Sequence, residues 1–177
     1  MKLRITIVLL FFINSVVGQQ YSTNDGVVKF VSDAPLELIE ASSKELQGIL
    51  DLSRKTFAFK MYIKSFDGFN SPLQKVHFYE NYMEVGEYPT ATFSGKILEP
   101  ITADNLNYRA KGVLQIHGVQ VERIIPVSIQ KEEEGIRFSS EFLVPLDDHE
   151  IELPRIVYQK IAQEINVFIQ GELTIRK

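Results

Sequence analysis

An all-β fold of about eight antiparallel strands is predicted by three features of this 177-residue chain. Apolar and polar side chains alternate in one run after another. Most runs are joined by short turns marked by glycine, proline or charge. Helical spacing is confined to one or two short stretches. A sheet of that many strands either closes into a barrel or splits into a sandwich. Closure removes exposed edges, and an eight-stranded barrel is just wide enough to be filled by side chains or to hold one ligand. Alternation alone does not choose between the two.

The strands are justified in order. From Gly26, residues Val28, Phe30 and Ser32 share one phase. After Pro35, Leu36–Ala41 is a second extended stretch. The polar run Ser42-Ser43-Lys44-Glu45 reads as a break before a further strand at Leu46–Leu52. Thr56–Phe66 has the clearest pattern, with Phe57, Phe59, Met61 and Ile63 on one face. Strict alternation of this kind is expected of an antiparallel strand with one buried face. Asp67-Gly68 is a turn. Ser71-Pro72-Leu73-Gln74 then supplies an N-cap, a first-turn proline and a capping-box glutamine, so a short helix is predicted over 72–83. Tyr88-Pro89 ends it, because the residue before proline avoids helix. Strands resume at Thr90–Leu98, Asn105–His117, Gln120–Lys131, Ile136–Val144 and Ile165–Ile175. Pro126 lies on the opposite phase from Ile125 and Val127, which predicts an edge or bulge there. Pro154–Gln163 carries a helical turn at most.

Composition limits function. Hydrophobic residues make up 45% and charged residues 24%, ordinary for a globular domain. Lys2 and Arg4 followed by the apolar run Ile5–Val17 read as a signal peptide over 1–18, with cleavage near Gly18 and a mature domain at 19–177. The run is short for a bilayer span, which needs about 20 residues. Without Lys2 and Arg4 the balance is 17 basic to 23 acidic groups. A mildly acidic domain is a poor candidate for binding nucleic acid, which requires a cationic surface. The absence of cysteine removes thiol catalysis and thiolate metal sites.

No familiar catalytic motif is present. His77, His117 and His149 lie in separate segments without ligand spacing, although three histidines would suffice for a metal site if they converged. The expected alternative is structural: His77 at a helix–barrel junction, His117 in a turn, His149 in solvent. The acidic pairs and runs, such as Asp147-Asp148, read as solvated turns. The aromatic inventory of 12 Phe and 7 Tyr is the more informative feature. Inward rings fill the core of any barrel, and they equally line a cavity for an apolar chain or ring.

Two blocks carry a family resemblance. The first comprises His77-Phe78, Glu80-Asn81-Tyr82-Met83-Glu84, Tyr88-Pro89, Ala91, Phe93, Gly95 and Ile97. The second is Gly112-Val113-Leu114-Gln115-Ile116-His117-Gly118-Val119. In this order the chain resembles the YceI-like family of secreted, lipocalin-like, polyisoprenoid-binding proteins. It departs from the usual pattern at Tyr79, where asparagine is common, and at Gln115, where threonine is usual. The resemblance implies a single antiparallel lipocalin-like β-barrel of about eight strands with one or two short helical insertions. It implies a periplasmic or secreted binding protein, not an enzyme, that encloses a polyisoprenoid, an isoprenoid quinone, a fatty-acid derivative or another amphiphilic lipid, with no cofactor and no metal. The candidate ligand-binding residues are Phe57, Phe59, Met61, Phe78, Tyr82, Phe93, Leu114, Phe138 and Phe142. The competing readings are an envelope interaction protein with a filled barrel and, last, a hydrolase using the histidines. Oligomeric state is left open.

Overall fold

Half-buried strands need partners on both edges, and here each strand finds them. The structure, a computed structural model, describes residues 19–102 and 106–176. The eight strands are β1 Gln20–Ala34, β2 Glu37–Asp51, β3 Thr56–Tyr62, β4 Thr90–Ile97, β5 Asn107–Ile116, β6 Val119–Lys131, β7 Gly135–Pro145 and β8 Glu164–Ile175. Each pairs with the next, and β1 pairs with β8, so the barrel closes. The predicted signal peptide, 1–18, lies outside the described residues. Among those residues, no helix is long and apolar enough to cross a membrane.

This meander gives the barrel two unlike ends. One end carries the turns β2–β3, β4–β5 and β6–β7. The other carries the tight turns β1–β2 and β5–β6 and the two long connections, 63–89 and 146–163. The β5–β6 turn is a two-residue hairpin, His117-Gly118, with φ of 51° and 75°. Paired positive φ suits the strand twist, and glycine adopts it at little cost.

Toward the first end the barrel is filled. The Phe57 and Phe93 rings lie 4.9 Å apart and those of Phe59 and Phe138 5.2 Å apart. Gly48 makes room for the Phe59 ring, since a Cβ there would stand 2.2 Å from a ring carbon. Gly95 faces Gly112 across β4 and β5, and a Cβ on Gly95 would meet the Lys111 carbonyl oxygen at 2.1 Å. Both glycines belong to the blocks that carry the family resemblance. Their role is steric: they let two strands approach where side chains would hold them apart.

Several local expectations are corrected. The predicted break at Ser42–Glu45 is the middle of one long strand, β2. Lys44 and Glu45 are both exposed, and the register slips between Gly26↔Leu46 and Val28↔Ser43. This bulge moves the inward phase from Ile39, Ala41 and Ser43 to Leu46, Gly48 and Leu50. The phase change is why one strand reads as two. Ser43 is buried, and its hydroxyl lies 2.6 Å from that of Ser65. β3 stops at Tyr62, where a 3₁₀ turn, Ile63–Ser65, redirects the chain. His149 is fully buried rather than solvated. Pro126 does mark an edge: the β6–β7 ladder runs only from Ser128↔Ser139 to Lys131↔Ile136. Beyond it, the Pro126 carbonyl accepts from the Ser140 hydroxyl at 2.6 Å.

Candidate ligand cavity

The predicted helix over 72–83 forms in two parts. Ser71 caps it: its Oγ accepts from the Gln74 amide at 3.1 Å, and Pro72 occupies the first turn. The Gln74 carboxamide reaches one residue further back than a capping box, accepting from the Asn70 amide at 3.0 Å. α1, Pro72–His77, then widens into a π-turn, Phe78–Tyr82, in which the Phe78 carbonyl accepts from the Met83 amide at 2.9 Å. Such turns recur at functional sites because they redirect side chains. Here the turn directs both Phe78 and Tyr82 toward the barrel interior.

Three anchors hold this insertion over the barrel end. Phe78 stacks on Phe30 of β1, with centroids 5.2 Å apart and planes at 18°. The Tyr79 hydroxyl donates to the Phe66 carbonyl at 2.6 Å. His117, at the β5–β6 turn, stands with Nε2 2.9 Å from a Glu84 carboxylate oxygen and Nδ1 3.2 Å from the His149 carbonyl. Tyr88 packs edge-on against the same imidazole at 4.6 Å. His117 therefore joins the insertion to the 147–149 turn. His117 and His149 meet through a backbone carbonyl while His77 lies in a different segment, and among the described residues no three metal-ligating side chains are grouped to hold an ion.

Beneath the insertion lies a cavity of about 480 Å³. Its wall is apolar: Val28, Phe30, Ile39, Met61, Phe66, Ile161, Ile165 and Val167 are representative. Its polar side chains are few. Ser32 is satisfied within the protein, accepting from the Ala162 amide at 2.9 Å. Glu37, Ser71, Gln74, His77 and Lys160 come from the segments around the mouth, and the Gln74 side-chain carboxamide donates to Glu37 at 2.9 Å. Burial raises the pKa of Tyr82, so its phenol stays neutral and able to donate.

Of the nine candidate residues, Met61, Phe78 and Tyr82 line this cavity. Phe57, Phe59, Phe93, Leu114, Phe138 and Phe142 are not in its wall. Phe57, Phe59, Phe93 and Phe138 instead form the packed rings of the filled half, and Leu114 is buried. Phe142 is half-buried on β7 opposite Val167. The main omissions from the candidates are β1 and β8, which contribute Val28, Phe30, Ile165 and Val167. Their alternation was legible. Their position at the open end follows only from knowing which connections are long.

The fold and site define a class: a closed, eight-stranded, up-and-down barrel with one packed half and one hollow, apolar half. Within that class the chain belongs to the YceI-like domain family, whose profile matches residues 19–173. Among solved structures, it is similar to a polyisoprenoid binding domain from Saccharophagus degradans implicated in plant cell wall breakdown. That match has 13% identity and a TM-score of 0.72, covering 90% of this chain and 99% of the other. BcnA from Burkholderia cenocepacia is similar at 16% identity and a TM-score of 0.70, covering 84% and 96%. The Campylobacter jejuni YCEI protein is similar at 17% identity and a TM-score of 0.58, covering 100% and 94%. No curated protein matches the chain.

Proposed function

We propose that this protein binds a long-chain isoprenoid or related amphiphilic lipid without covalent chemistry, as an exported, periplasmic or secreted carrier. The observation that carries the reading is the division of the barrel. About 480 Å³ of apolar space lies at one end, with its polar groups concentrated at the mouth. Pockets for small ligands span about 300–1,000 Å³ and pair apolar walls with a few polar groups. A prenyl or acyl chain would lie against Phe30, Ile39, Ile165 and Val167. Its head would meet Gln74, His77, Lys160 and the Tyr82 phenol. Burial of ligand surface supplies about 25 cal/mol per Å² before the costs of association. The similarity to a polyisoprenoid binding domain supports the same ligand class. Export rests on Lys2, Arg4 and the apolar run after them. In this reading 1–18 is removed and 19–177 is the working domain, and no residue is assigned a catalytic role.

Native mass spectrometry of protein purified without detergent, followed by organic extraction, tests this. A bound mass that yields a prenyl or acyl compound is expected. An empty protein that takes up neither prenyl quinone nor fatty acid would favour a barrel that serves only as a structural or interaction module.

A further inference from the structure

The rim of the cavity carries exposed apolar side chains that no packing requirement explains. Ile156 is 88% exposed, Leu36 67% and Leu73 63%, with Leu38, Val76 and Tyr158 also exposed. They come from three segments: the β1–β2 turn with the start of β2, α1, and the 3₁₀ turn Arg155–Val157 with Tyr158 directly after it. Hydrogen bonds place these segments side by side. The Leu36 amide donates to the Gln159 carbonyl at 2.8 Å, the Asn70 carboxamide to the Leu38 carbonyl at 2.8 Å, and Gln74 to Glu37 at 2.9 Å. The patch is continuous with the cavity, because Leu73, Val157 and Lys160 line the wall beside it.

We infer that this rim docks on the surface of an anionic lipid bilayer, so that the cavity mouth opens against the headgroups. The inference rests on the lipid-carrier reading and adds where the lipid is exchanged. The local arrangement at the apolar tips supports a bilayer as the occupant: the cations stand among the tips, whereas the acids of the same connection, Asp147, Asp148, Glu150 and Glu152, all precede Pro154. Arg155 and Lys160 flank Ile156 and Tyr158, and among the described residues neither cation forms an ion pair. Glu37, the acid in the cavity wall beside them, accepts from the Gln74 side-chain carboxamide. Apolar tips with an aromatic ring and flanking cations suit the interfacial layer, where the tips enter and the cations meet anionic headgroups. A lipid leaving the membrane through this mouth would pass from headgroup region to cavity without crossing water.

The test is co-sedimentation of the protein, as processed by the cell and with its N-terminus established by intact mass, with phosphatidylcholine vesicles containing phosphatidylglycerol. The comparison is Leu36→Asp combined with Ile156→Asp, neither of which lines the cavity. Wild-type protein is expected to partition onto these vesicles, more weakly as salt rises. The double variant should lose roughly tenfold or more of that partition, since burying one such side chain is worth about a tenfold change. Uptake of a short-chain prenyl quinone from detergent-free solution should be unchanged in the variant. Quinone uptake by a wild type that ignores vesicles overturns the docking inference and leaves the carrier reading intact. Partition without uptake upholds docking and counts against the carrier reading. Equal partition of variant and wild type, or a solution dimer lost in the variant without vesicle binding, also overturns it.

Discussion

Replacing alanine by leucine at two positions on neighbouring strands separates the hollow half of the barrel from the filled half. Ala91 of β4 lines the cavity beside Met61. Ala110 of β5 is 5% exposed, lies opposite Ile97 and Ile125, and is absent from the cavity wall. The chemical change is the same at both sites, so the difference reports the space around them. At Ala91 the added groups enter the 480 Å³ cavity. Each buried methylene is worth up to about 0.8 kcal/mol, so Ala91→Leu should be neutral or mildly stabilising. At Ala110 they meet packed side chains, and overpacking costs about 1–3 kcal/mol. For a domain of this size each kcal/mol moves Tm by about 2–4 °C, which predicts a fall of about 2–12 °C for Ala110→Leu. Thermal melts by circular dichroism give the comparison, with prenyl quinone uptake measured on both variants. Ala91→Leu should reduce uptake while Ala110→Leu, below its Tm, should not. A larger loss of stability at Ala91 than at Ala110, or undiminished uptake by Ala91→Leu, would refute the division of the barrel into two halves.

Three further outcomes follow from other parts of the structure. Gly95→Ala should be strongly destabilising, by about 1–3 kcal/mol or more, because the new Cβ would stand 2.1 Å from the Lys111 carbonyl oxygen; chemical denaturation measures it. Burial pushes the His149 imidazole below its ordinary value of 6.5. The unfolded chain therefore takes up the proton first, and stability contributed above that value declines as pH falls below it. In His149→Met the part of the decline between pH 7 and pH 5 due to this residue should vanish, as read from denaturation midpoints across the range. Ser71→Ala removes the cap of α1 and should cost about 1 kcal/mol locally, seen as faster hydrogen exchange of the Gln74 amide with little change in Tm.

Much of the barrel was legible because period-two alternation is a direct record of burial. The inward face of β3 follows the predicted phase, with Phe57, Phe59 and Met61 turned inward, and β6 keeps Ile125 and Val127 inward with Pro126 exposed; β5, β7 and β8 alternate in burial within the ranges predicted for them. The errors arose where a local device interrupts the period. The bulge at Lys44-Glu45 splits one strand into two in the sequence, and Ser43 looks like a loop residue because its burial depends on Ser65, 22 residues away. His149 looked solvated between acids because what it meets is distant in sequence: its Nδ1 lies 3.4 Å from the Val119 carbonyl, 30 residues away. The cavity was only partly legible for a geometric reason. Phe57 and Met61 occupy the same face of one strand, yet they lie at different depths, one among packed rings and the other in the cavity wall. Period two reports which side a residue faces and carries no information about depth. Depth is set by the two long connections and by Phe78 and Tyr82 roofing the open end.

The most direct test of the account is a methyl NMR titration of the protein with a prenyl quinone. Ile39, Ile161, Ile165 and Val167 line the cavity, whereas Leu50, Ile136 and Leu173 are buried in the core away from its wall. The predicted result is shift changes and ligand contacts confined to the first set, with the second unmoved. Contacts to Leu50, Ile136 and Leu173, or no contacts to either set at saturating ligand, would contradict a lipid site in the open half of the barrel.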